Sequence, residues 1–162
     1  MKNKLLMICS LICFCLMMCI TTTFAKEIKC PGGITANIPD IYQVDEEDEE
    51  SIFFISEEEM SMIMIGIVPL EQGETFTDEM KQELQKELCE EKDIDIENER
   101  TENIGGRSVY VMTGKMQIED VNMKAYFYVF EYNNKIVFSF SACRMEDTNK
   151  EAIFREIIKS IK

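Results

Sequence analysis

The chain has 162 residues, with 17 Lys and Arg against 31 Asp and Glu, no His, no Trp and seven Cys. That length allows one domain of ordinary size, with or without a targeting segment. The absence of imidazole excludes Ser-His and Cys-His nucleophilic pairs and His-ligated zinc or iron. A net charge of −14 argues against nucleic acid and anionic membrane surfaces as partners, since both are bound through Lys and Arg.

Lys2 and Lys4 precede an almost unbroken apolar run from Leu5 to Ile20, and small residues follow at Thr23 and Ala25. This is the layout of a secretory signal peptide cleaved after Ala25. It predicts an exported protein, periplasmic or secreted, with no integral membrane span left after cleavage. Two alternatives use the same segment. A retained anchor has length enough to span, but its last third is Thr-rich. A lipid anchor would use Cys9, Cys13, Cys15 or Cys19, and none of these follows the small residue that a lipobox wants.

Cleavage removes two lysines and no acid, so the expected single domain, residues 26–162, carries 15 basic and 31 acidic side chains, a net charge of −16. Only Cys30, Cys89 and Cys143 remain in it. Three thiols form at most one intramolecular bridge, which rules out a disulfide scaffold. Cys143 lies in an apolar strand and is expected to be buried and inert.

Short strands are predicted at 34–38 and 41–44, around Pro39-Asp40. The six consecutive acids from Asp45 to Glu50 read as a solvated loop. Strands follow at 52–56 and 60–68; the second is apolar on both faces and belongs in the middle of a covered sheet. Thr77, followed by Asp78 and Glu79, reads as the N-cap of a helix with its buried stripe on Met80, Leu84 and Leu88. Ile94 and Ile96 alternate with acids in a short edge strand, and Gly105-Gly106 is a turn. Three strands then run over about 107–118, 121–132 and 135–144, with Asn133-Asn134 as a two-residue hairpin turn. Thr148-Asn149-Lys150-Glu151 reads as a capping box opening a helix whose stripe is Ile153, Phe154, Ile157, Ile158 and Ile161.

Asn133-Asn134 fixes one register, and a second follows if Glu119-Asp120 is also a two-residue turn. Val129 faces Phe138, Phe127 faces Phe140, Ala125 faces Ala142, Met116 faces Met123 and Gly114 faces Ala125. One face then shows Tyr110, Met112, Met116, Met123, Phe127, Val129, Phe138 and Phe140, crossed by a lane of small residues (Gly114, Ala125, Ala142). The Ile-rich C-terminal helix is the expected tenant of that lane. The other face carries Val109, Val111, Tyr126, Tyr128, Phe130, Val137, Ser139 and Ser141, either covered by the Thr77 helix or partly open. The predicted class is α+β: a mainly antiparallel sheet with helices packed on its faces, an α/β/α-type sandwich.

In this order of elements, in Asn103-Ile104-Gly105-Gly106-Arg107 leading into a long strand pair, and in the closing Phe154-Arg155-Glu156-Ile157-Ile158-Lys159-Ser160-Ile161-Lys162, the chain resembles the PsbP-like family of small exported domains, which includes the DcrB-type bacterial lipoproteins. Ile161 stands where that family usually carries an aromatic residue. The resemblance implies an antiparallel sheet with helices on its faces and brings no catalytic residue with it, because such folds host unrelated functions.

Two clusters are candidate sites. Tyr126, Tyr128, Ser139 and Ser141 would form a ligand-binding face, aromatic surface with hydroxyls to orient a ligand, or else a sheet face under a helix. Asp45, Asp48 and Glu49 would offer carboxylate oxygens to a hard cation such as Ca²⁺, or else belong to a solvated acidic loop. The methionines at 60, 62, 64, 112, 116 and 123 fit core strand positions. Cys143 has no base in view, and no pair of carboxylates stands out for hydrolytic chemistry. The expectation is a non-enzymatic exported module without cofactors, presenting an acidic surface to a protein or peptide partner with a basic surface. A small-ligand or divalent-cation binding protein is the alternative.

Overall fold

The computed structural model of the protein describes residues 25–162, apart from residue 92 and the side chains at 87, 88, 90 and 91. The expected signal peptide up to Phe24, and the Leu88 side chain of the predicted helix stripe, lie outside the described residues.

The elements in chain order are β1 (Ala25–Lys29), β2 (Thr35–Pro39), β3 (Gln43–Glu47), β4 (Ser51–Ser56), β5 (Ser61–Pro69), α1 (Asp78–Glu91), β6 (Asp95–Ile104), β7 (Arg107–Ile118), β8 (Val121–Glu131), β9 (Lys135–Arg144) and α2 (Lys150–Ser160). Strands β3 to β9 form one sheet in the order β3-β4-β5-β9-β8-β7-β6, every neighbouring pair antiparallel. β1 and β2 form a separate antiparallel pair. With helices on both faces, this is the α+β sandwich expected from the sequence.

The register is the one the turns dictate: Val129 pairs with Phe138, Phe127 with Phe140, Ala125 with Ala142, Met116 with Met123 and Gly114 with Ala125. Asn133 and Asn134 both sit at positive φ, 50° and 59°, the geometry of a tight hairpin turn. Tyr132 and Lys135 close that turn through reciprocal backbone bonds of 2.8 and 3.1 Å. Thr77 caps α1 as predicted, its Oγ1 accepting from the Met80 N–H at 3.3 Å.

The helices, however, are exchanged between the faces. α2 packs on the Val109, Val111, Tyr126, Tyr128, Phe130 and Val137 face, burying Phe154, Ile157, Ile158 and Ile161 there together with the β1-β2 pair. α1 lies over the Tyr110, Met112, Phe127 and Val129 face through Met80 and Leu84. The lane of small residues is not a helix seat. At Gly114 a Cβ would meet the Asp95 carbonyl oxygen at 2.4 Å, because β6 bulges between Ile96 and Asn98 where it pairs with β7. The small residue accommodates a neighbouring strand.

Three local expectations also change. Asp45, Glu46 and Glu47 belong to edge strand β3 instead of a loop; an edge strand leaves its side chains solvated, and charge there blocks further pairing. The strand before Gly105 runs ten residues, with Arg100 and Glu102 ion-paired to Glu151 and Arg155 of α2. The capping box does not form: Asn149 makes no side-chain cap bond, and Glu151 turns to Arg100.

The end of α2 is tied down tightly. The Arg107 guanidinium donates to the Ile158 carbonyl at 3.4 Å and to that of Ile161, while its carbon lies 5.3 and 5.1 Å from the ring centres of Phe130 and Tyr132. Beyond α2 the chain exchanges backbone bonds with β2, Thr35 to Lys162 at 2.8 Å and Lys162 to Thr35 at 3.0 Å. Beneath the helix the Tyr126 and Phe154 rings meet edge to face at 5.5 Å. Phe154→Ala is therefore expected to lower stability by about 3–5 kcal/mol. Tyr128→Phe is expected to be neutral or to stabilise, since the buried Tyr128 hydroxyl has no hydrogen-bond partner among the described residues and its desolvation cost of about 1–3 kcal/mol would vanish. Denaturant unfolding of both variants checks the pair.

Candidate functional site

Tyr126, Tyr128, Ser139 and Ser141 do come together, as the cross-strand pairs Tyr126–Ser141 and Tyr128–Ser139. All four are buried beneath α2, so they form core and offer no surface to a ligand. Burial pushes the Tyr128 and Tyr126 hydroxyls above the usual tyrosine range.

The acidic candidates are not gathered. Asp45 occupies the bulge of β3. Asp48 instead closes the β3-β4 turn, its Oδ1 accepting from the backbone N–H of Glu50 at 2.8 Å and of Ser51 at 2.6 Å. Those bonds hold its carboxyl below the ordinary range. Glu49 is exposed at the turn. Among the described residues no three Asp, Glu or Cys groups converge to hold a metal ion.

The feature that sequence reading missed lies beside α1. α1 lies over β6 to β8, and on the same face of β4, β5 and β9 Phe53, Ile55, Met64, Phe138 and Phe140 are only partly buried. There Met64 and Val68 of β5 and Phe138 and Phe140 of β9 form the floor of a groove of about 640 Å³, walled by Phe76, Met80, Glu83 and Leu84. Val68 is 47% exposed. The floor is flat for a reason: the Phe138 ring lies directly over Gly66, where a Cβ would approach its Cζ to 2.3 Å. Phe140 stacks on Phe127 with centroids 4.8 Å apart.

Acidic side chains stand on two sides of this apolar floor. Among the described groove-lining residues Glu83 is the one titratable side chain, and Glu79 precedes it by one turn of α1. At the far edge Glu46 pairs with Phe53 and Gln43 with Ile55, and directly paired residues share a face of the sheet. The acidic turn abuts one end of the groove, since the Glu50 carbonyl accepts from the Ile67 N–H at 2.9 Å. Such an arrangement can desolvate apolar groups and attract positive charge to their flanks. Its described lining residues include no nucleophile or acid–base pair.

The remaining reactive groups are elsewhere. Cys30, Cys89 and Cys143 are free thiols, the first and third buried. Burial pushes both Cys30 and Cys143 up to about 11, far from a primed thiolate. In the folded protein iodoacetamide should modify Cys89 alone, with Cys30 and Cys143 reacting only after denaturation; mass spectrometry of the alkylated chain reads the outcome.

No family model matches the chain, and no curated protein does. Solved structures do match. Cyanobacterial PsbP from Synechocystis superposes with a TM-score of 0.66 at 12% identity, over 89% of this chain and 95% of that one. The yeast Ran-binding protein Mog1p gives 0.58 at 12% identity, over 87% and 96%. A Bacteroides thetaiotaomicron protein gives 0.63 at 18% identity over 86% of this chain, which spans 48% of its length. At these identities the likeness concerns architecture, and the architecture shared with PsbP and Mog1p is the antiparallel sheet with helices on its faces that the resemblance to PsbP-like domains implied.

Proposed function

We propose that the protein is an exported, non-enzymatic interaction module whose acidic surface binds a protein or peptide partner with a basic surface. The observation that carries this reading is an uncompensated run of negative charge. All six residues from Asp45 to Glu50 are exposed, and none takes part in the ion pairs of the described residues, which engage acids such as Glu27, Glu59, Glu102 and Glu151. A chain of this net charge repels itself, so the run costs stability and gains from a cationic partner. That Mog1p, with the same architecture, is a Ran-binding protein supports a protein partner. The N-terminal layout supports export.

The alternative, a small-ligand binder, is favoured by the groove beside α1, whose volume falls in the range of small-molecule sites. Divalent-cation binding has no such support from the geometry.

Replacing Asp45, Glu46, Glu49 and Glu50 together by Lys, with Asp48 kept for its role in the turn, should abolish capture of basic partners from the envelope of the exporting cell. Thermal unfolding should remain cooperative. Wild-type capture should also weaken steeply between low and physiological salt. Capture that survives both changes would show that the acidic surface is not the binding surface.

A further inference from the structure

We infer that the groove beside α1 is the seat of a partner's amphipathic helix, one whose apolar stripe is flanked by Lys or Arg; this rests on reading the protein as a module for basic partners and names the element it takes. The dimensions fit one helix. Neighbouring strands lie ~4.8 Å apart, so the open strip over β4, β5 and β9 is ~10 Å wide, the diameter of one helix. α1 already occupies the neighbouring berth, and a second helix alongside it would complete that layer of the sandwich.

Charge supplies the second argument. The apolar floor is bordered by Glu79 and Glu83 on the helix side and by Glu46 on the β3 edge. A helix lying lengthwise would place its leucine-like stripe on Met64, Val68, Phe138 and Phe140 and its flanking cations on these two acidic margins. A fully apolar small molecule would leave those margins unused. Methionine supplies the third argument: Met62, Met64 and Met80 border the strip, and unbranched thioether chains adapt to varied apolar partners.

The test titrates the purified protein with three 18-residue peptides of helical design, followed by fluorescence anisotropy. One carries a Leu stripe flanked by Lys, the second the same stripe flanked by Glu, and the third Lys with the stripe changed to Ser. The Leu/Lys peptide should bind at least tenfold more tightly than either control. Val68→Glu, a change at an exposed position that should leave the melting curve intact, should cost at least tenfold for this peptide. Glu46→Lys with Glu83→Lys should do the same while improving the Leu/Glu peptide.

Equal binding of the Leu/Lys and Ser/Lys peptides would overturn the inference and leave the acidic-surface reading standing. So would a wild-type affinity in Val68→Glu. A concentration-dependent dimer broken by Val68→Glu would assign the groove to a second copy of this chain, and saturable uptake of a fatty acid that displaces the Leu/Lys peptide would assign it to a lipid chain; either result overturns the helix.

Discussion

A seven-stranded sheet is ~29 Å wide at ~4.8 Å per strand, whereas a helix with its side chains covers ~10 Å. Both faces of this sheet carry apolar side chains, so both need cover. One face receives it in full: α2 and the β1-β2 pair share the work, and the residues clustered beneath them are buried. Among the described residues the other face has α1 alone. Everything distinctive about the surface follows from that imbalance. The strands under α1 are closed, the strands beside it are not, and the floor of the uncovered strip is built from Met and Phe side chains that would be core in a protein with one more helix.

The covered face explains the family-like motifs as well. Gly105 and Gly106, at φ 62° and 86°, allow the tight return from β6 to β7 that only residues free of a Cβ take readily. That return delivers Arg107 to the last carbonyls of α2, a cation at the negative end of a helix. The closing residues then pair with β2. Turn, arginine and C-terminal helix are thus one mechanical unit, and its purpose is to hold the cover on one face.

Much of this was legible in the sequence and some was not, for identifiable reasons. The strands from Arg107 to Arg144 and their register could be read because two-residue turns leave no slack: once Asn133-Asn134 and Glu119-Asp120 are turns, every pair of the two ladders follows. The placement of the helices could not. Both faces of β7, β8 and β9 are apolar, and Phe154 or Met80 would be at home on either. β1 went unseen because Ala25–Lys29 has one apolar anchor, Ile28, and pairs only with β2. β6 read as shorter than it is because its inward polar residues, Arg100 and Glu102, are satisfied by α2. The Tyr and Ser cluster was correctly gathered onto one face. Its burial followed from the exchanged helices, and the hydroxyls of Tyr128 and Ser139 have no hydrogen-bond partner among the described residues. An uncovered strip has no sequence signature of its own, since it consists of core-like residues whose cover is missing.

The central claim is that the Met64 and Phe138 strip stands open to solvent in the folded protein while the equivalent residues under α1 do not. Methionine methyl groups report on this directly. With ¹³C-labelled methionine and a soluble nitroxide, the Met64 methyl resonance should broaden strongly, while that of Met112, fully buried beneath α1, should remain sharp. Equal protection of the two methyls would mean that the strip is closed, and the account of an unfilled berth beside α1 would fail.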